Sequence, residues 1–161
     1  MTIKVGDKTP SATLKQMTPE GPKDVTTDEL FRGKKVALFA VPGAFTPACS
    51  QRHLPGYVDK ASDIKAKGVD EIVCVAVNDV FVMTAWGKEQ KADGKVRMLA
   101  DGSGDFVRAL GLELDLTKMG LGKRSQRYSM LVDNGVVKSL NVEQQPGQVD
   151  ASGADAMLRA L

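Results

Sequence analysis

Lys34 to Val41 reads KKVALFAV and stops at Pro42-Gly43. Such a compact apolar run, rich in residues that favour extended backbone, suits a strand buried on both faces. A loop follows over Gly43 to Pro47, and from Ala48 the pattern turns helical through about Lys67. Leu54, Val58, Ala61 and Ile64 recur there at spacings of three and four, with Tyr57 beside them, and Gly68 is placed to stop the helix. Pro55 inside this stretch predicts a kink, because it lacks the N–H that a helix interior needs. Glu71 to Val77 (EIVCVAV) repeats the buried-strand signature.

Further along, Val80 to Lys91 reads as a helix capped by Asn78/Asp79, Val96 to Ala100 as a third strand and Asp105 to Leu110 as a short helix. Arg127 to Val132 and Val136 to Val142 flank Asn134-Gly135, a pair that tolerates the positive φ values of a two-residue hairpin turn. Ala151 to Leu161 reads as a closing helix. Met1 to Pro22, broken by Gly6, Pro10, Pro19, Gly21 and Pro22, suits a peripheral hairpin around Ala12 to Met17. Strands alternating with helices before a final hairpin imply an α/β protein with a mixed central β-sheet flanked by helices on both faces, a thioredoxin-like architecture. Sites in such sheets lie where parallel strands end and loops feed helix N-termini, the position that Val41 to Cys49 occupies.

The chain has 161 residues, 42% of them hydrophobic and 26% charged, which suits one domain spanning 1–161 with one ordinary core. No repeat, low-complexity tract or long linker suggests a second unit. Against 20 Asp+Glu stand 22 Lys+Arg, a formal net charge of +2, too small and too evenly spread for an electrostatic nucleic-acid or membrane binder. No apolar run approaches the roughly 20 residues of a membrane-spanning helix. MTIKVGDKTP has neither a signal-peptide pattern nor a transit-peptide composition, so the expectation is a cytoplasmic protein. Two cysteines, Cys49 and Cys74, and a single histidine are too few for a structural zinc site or a disulfide framework.

Cys49 falls at the start of the long predicted helix, where unpaired N–H groups and the helix dipole favour an anion. A thiol is a few per cent ionised at pH 7, and such a setting raises that fraction. Pro47 suits helix entry, and Thr46 offers a hydroxyl three residues before the sulfur. Position alone leaves two readings open, a reactive thiol and an inert buried one.

The run Pro42-Gly43-Ala44-Phe45-Thr46-Pro47-Ala48-Cys49-Ser50 resembles the Pro-x-x-x-Thr-x-x-Cys motif of the peroxiredoxins of the AhpC/TSA superfamily, in the form used by the type II (atypical, peroxiredoxin-5-like) branch. Likeness continues through His53-Leu54-Pro55-Gly56-Tyr57, Val77 to Val82, Trp86-Gly87, Lys95 to Asp101 and Arg127-Tyr128-Ser129-Met130. The resemblance implies an antioxidant thiol peroxidase, an oxidoreductase that reduces hydrogen peroxide and alkyl hydroperoxides with no metal, haem or flavin. Cys49 would be the peroxidatic nucleophile and become a sulfenic acid. Thr46 would bond the peroxide and thiolate, Pro42 would roof the pocket, and Arg127 would hold the thiolate and stabilise charge on the departing oxygen. It further implies a homodimer; for Phe45, Phe81 and the Met119 to Leu121 segment two readings stay open, an apolar dimer surface beside the active site and a place in the monomer core.

The family's resolving cysteine, near the C-terminus in several members, has no counterpart in Asn141 to Leu161. The expected cycle is therefore single-cysteine, with glutathione, a glutaredoxin or thioredoxin as reductant. Cys74, inside EIVCVAV, reads as a buried strand residue, with internal resolution as the competing reading. His53, four residues after Cys49, reads as a helix-packing or dimer-edge residue rather than a base. Gly120 to Ser125 lacks the spacing of a phosphate loop and reads as a loop near the pocket. An alternative function is a peroxide sensor or redox relay that passes oxidation to a partner protein; a disulfide reductase is disfavoured by the missing Cys-x-x-Cys.

Overall fold

The computed structural model describes residues 2–161. The chain opens with the hairpin β1 (Thr13–Thr18) and β2 (Gly21–Thr26), then α1 (Thr27–Phe31) and β3 (Lys35–Ala40). A π-helical turn over Cys49–His53 leads into α2 (Leu54–Ala66), followed by β4 (Glu71–Ala76), α3 (Val80–Glu89), β5 (Arg97–Ala100) and α4 (Asp105–Leu110). A small hairpin, β6 (Glu113–Leu116) and β7 (Gly122–Ser125), precedes β8 (Tyr128–Asp133), β9 (Val136–Val142) and α5 (Ala154–Ala160).

Seven strands form one sheet in the order β2-β1-β5-β4-β3-β8-β9. The three strands β3, β4 and β5 run parallel, and β1 and β8 flank them antiparallel. Period-two alternation sorts β3 into two cores: Ala37, Phe39 and Val41 face α2, α3 and α5, whereas Val36, Leu38 and Ala40 face α1 and α4. The mixed sheet with helices on both faces is the architecture expected from the sequence, and the Pro/Gly-rich start forms its peripheral hairpin.

Asn134 (φ 48°) and Gly135 (φ 81°) make the expected turn between β8 and β9. Asp79 caps α3 by accepting the Val82 N–H at 2.8 Å, and Gly68, at φ 96°, follows the end of α2. The kink expected at Pro55 takes the form of the π-turn just before it, closed by the Leu54 N–H on the Cys49 carbonyl.

Helix α1 and the hairpin of β6 and β7 were not expected. Helix α1 is a single short turn capped by Thr26, whose hydroxyl accepts the Glu29 N–H at 3.2 Å. Gly120 to Ser125, expected as a loop, contributes β7, which pairs with β6 through Asp115 opposite Lys123, joined by an ion pair at 3.1 Å. ELDL and GKRS carry charge where a core-facing strand would carry apolar residues, so the hydrophobic pattern gave no strand signal.

Candidate active site

The loop after β3 is fixed before it reaches the sulfur. Val41 donates its N–H to the Val75 carbonyl at 3.2 Å, and Ala44 donates to the side-chain oxygen of Asn78 at 2.9 Å. Asn78, expected as a helix cap, thus ties this loop to the start of α3. Phe45 adopts φ 65°, the left-handed region that a non-glycine residue enters only under constraint. Beyond it the Thr46 hydroxyl donates to the Gly43 carbonyl at 2.6 Å, and the Thr46 carbonyl accepts the Ser50 N–H at 2.9 Å. Cys49, wholly buried, begins the π-turn.

Arg127 arrives from the far side of the sequence because it immediately precedes β8, whose Tyr128 pairs with Ala40 at the end of β3. The guanidinium is buried and spends its donors in three directions. Nε–H bonds the Pro146 carbonyl at 2.9 Å, Nη1–H the Nδ1 of His53 at 2.8 Å, and Nη2–H the Cys49 Sγ at 3.0 Å. A fixed cation thus lies at hydrogen-bond distance from the sulfur, where it can stabilise negative charge that develops there. Of the four site residues expected from sequence, the fold brings Arg127 onto Cys49 and holds Pro42 and Thr46 in the loop leading to it.

His53 is wholly buried, which agrees with a packing role and leaves nothing for a dimer edge. A guanidinium has no lone pair, so Nδ1 is the acceptor and the ring proton sits on Nε2, donated to the Ser152 carbonyl at 3.0 Å. Burial, then the Arg127 charge, lowers its pKa to about 3, against the opposing pull of Ser152. The ring is therefore neutral and engaged at both nitrogens, and it orients Arg127 rather than accepting a substrate proton. Sequence reasoning missed this; the spacing of four from Cys49 was its only signal.

Arg124 is a second functional candidate without a sequence signal, because GKRS fits no phosphate-loop spacing and reads only as a loop. Its Nε–H bonds the Leu121 carbonyl at 2.8 Å and its Nη1–H the Pro42 carbonyl at 3.4 Å. The guanidinium fills the space a side chain on Gly43 would need: a Cβ there would lie 2.9 Å from Nη1 and 3.2 Å from the Thr46 methyl. Cys74 is buried in β4, as expected, and burial, with the nearby Cys49, pushes its thiol pKa well up. It is a protonated, packed side chain. Phe45, Phe81 and Met119 are exposed. A cleft of about 510 Å³ lies at the opposite end of the parallel strands, where Arg97 is already spent on Glu71 and Gln16.

The Redoxin family model matches residues 4–158. Peroxiredoxin-2E-2, chloroplastic, of Oryza sativa subsp. japonica is 55% identical over 99% of this chain and 73% of its own length. The crystal structure of reduced Prx3 from Vibrio vulnificus in complex with H2O2 superposes with a TM-score of 0.94 at 55% identity, covering 99% of both chains. Peroxiredoxin 5 from Alvinella pompejana gives 0.84 at 41% identity, over 98% of this chain and 97% of its own.

The cytoplasmic expectation does not stand, since the rice relative, like one from Arabidopsis thaliana that is 52% identical over 99% of this chain, is named as chloroplastic. The reason is physical: a folded domain of this kind looks the same in either compartment, so its composition does not report which one holds it. The thiol peroxidase activity implied by the motif does stand, with a hydroperoxide as substrate and a thiol as reductant. The chain belongs to the Redoxin family and is a peroxiredoxin of the AhpC/TSA superfamily, of the peroxiredoxin-5-like type.

Proposed function

We propose that Cys49 is the peroxidatic nucleophile of this single-domain peroxidase and that Thr46, Arg127 and Pro42 complete its site. The Cys49 thiolate attacks one oxygen of the hydroperoxide, the O–O bond breaks, and the other oxygen leaves with a proton as water or alcohol, giving a sulfenic acid. Thr46, whose hydroxyl proton is committed to Gly43, keeps lone pairs free to accept the peroxide O–H. Arg127 holds the attacking sulfur and stabilises charge on the leaving oxygen. Pro42, buried just after β3, limits water. The observation that carries this reading is the 3.0 Å contact between Arg127 and the Cys49 sulfur.

A thiol then attacks the sulfenic sulfur, releasing water and leaving a mixed disulfide, and a second thiol restores Cys49. Glutathione with glutaredoxin, or thioredoxin, supplies these thiols, and Cys74 takes no part. Two chains pair through the exposed Phe45, Phe81 and Met119 beside the pocket. Peroxide consumption by wild type, Cys49→Ser and Cys74→Ser, with glutathione plus glutaredoxin and separately with thioredoxin, tests the scheme. Turnover lost only in Cys49→Ser is the expected result and identifies the reductant. Loss in both variants makes Cys74 a resolving cysteine, and consumption of a single equivalent with every reductant returns the relay reading.

A further inference from the structure

Two of the three acceptors that hold the Arg127 guanidinium belong to, or depend on, the segment between β9 and α5. Pro146 supplies its carbonyl directly, and Ser152 supplies the carbonyl that fixes His53. The same Ser152 carbonyl accepts the Tyr57 hydroxyl at 2.8 Å, so it anchors two side chains of the helical segment that begins at Cys49.

Glu143, the first residue after β9, closes this segment. Its single oxygen Oε2 accepts the N–H of Asp150 at 2.8 Å, the N–H of Ser152 at 2.7 Å and the Ser152 hydroxyl at 2.6 Å. Its own N–H donates to the Arg127 carbonyl at 2.9 Å, so the main chain of the loop's first residue is bonded to the residue whose side chain the loop positions. Burial pushes the Glu143 pKa up, but the Ser152 hydroxyl and the amides of Ser152, Asp150 and Ala151 outweigh it and hold the carboxyl below its ordinary range. A buried carboxylate is costly unless its bonds are met, and here they are met by one short loop.

We infer that Glu143 is a positioning residue for the peroxide reaction: by drawing Asp150 and Ser152 inward it sets the carbonyls of Pro146 and Ser152, and these fix the direction in which Arg127 presents Nη2–H to Cys49. The inference rests on the role proposed above for Arg127. A loop lock that served stability alone would have no reason to reach the guanidinium by two separate routes. Glu143 touches neither substrate nor sulfur and acts only through Arg127 and His53.

The test compares Glu143→Leu, which keeps bulk and removes the acceptor, with Glu143→Gln, which keeps a carbonyl oxygen for the three donors. Oxidation of Cys49 by hydrogen peroxide, re-reduction by glutathione, and alkylation by iodoacetamide at pH 6 and pH 9 are measured separately. Glu143→Leu is expected to slow oxidation about tenfold and to lower the pH 6 to pH 9 alkylation ratio about threefold, with re-reduction unchanged and Glu143→Gln recovering to within about threefold. If Glu143→Leu fails to fold, Glu143→Asp, one methylene too short to reach the loop, must show the same pattern.

Arg127→Gln runs alongside. Should that variant oxidise at the wild-type rate, the Arg127 reading itself fails. Should it be slow while the folded Glu143 variants match wild type, or should Glu143→Leu slow both half-reactions equally, the positioning role of Glu143 is overturned.

Discussion

Acidification should destabilise this protein through His53. The native ring is held neutral, with a pKa of about 3, while the unfolded chain regains a value near 6.5. Its contribution to stability is therefore fully present above pH 6.5 and is lost as pH falls from 6.5 towards 3, because over that window the unfolded chain binds a proton that the native state refuses. At pH 5 the loss amounts to about 2 kcal/mol, a large share of the roughly 5–15 kcal/mol that holds a typical domain together. Urea unfolding of the reduced protein at pH 7 and pH 5 reads it directly. With a slope of about 2 kcal/mol per molar urea, the wild-type midpoint should drop by about 1 M more than that of His53→Gln. Glutamine supplies an acceptor and a donor but no titrating ring, and carboxylates common to both proteins cancel in the comparison. Equal drops in the two proteins would refute the reasoning, since they would mean that His53 accepts a proton in the native state and that Arg127 does not donate to Nδ1.

Two further outcomes are expected. Trp86, the only tryptophan, donates its indole N–H to the Ser50 hydroxyl at 3.0 Å, so one equivalent of peroxide should change its emission in wild type and leave Cys49→Ser unaffected; an unchanged wild-type spectrum would mean that oxidation leaves the first turn undisturbed. Gly43→Ala places a Cβ against the Arg124 guanidinium and the Thr46 methyl, and should cut the peroxide rate about three- to tenfold in steady-state assays. An unaltered rate there would show that Arg124 yields without moving Thr46.

What the sequence revealed and what it hid follow from the range of the interactions. KKVALFAV and EIVCVAV announce themselves because strands buried on both faces must be apolar throughout, and Asn134-Gly135 because its turn demands positive φ. The Cys49 loop was legible through its resemblance, since a short motif gathers most of the chemistry into neighbouring positions. Strands β6 and β7 were not, because their pairing rests on Asp115 and Lys123 rather than on apolar alternation. The π-turn was hidden too, as spacings of three and four do not report one extra residue in a turn. His53 donates to the backbone carbonyl of Ser152, 99 residues further on, and Glu143 accepts from the backbone amides of Asp150 and Ser152, and backbone groups have no sequence signature.

The antiparallel ladder between β3 and β8 joins residues 88 to 98 positions apart and ends with Ala40 opposite Tyr128. Because Arg127 sits one step beyond that last rung, nothing local can bring it to Cys49, and closing so long a span is the slow, entropically costly kind of step in folding. A chain emerging from synthesis or returning from denaturation thus carries the sulfur without its guanidinium until the ladder has zipped to its end. Recovery of peroxide reactivity during refolding marks the completion of topology, not the first appearance of helices.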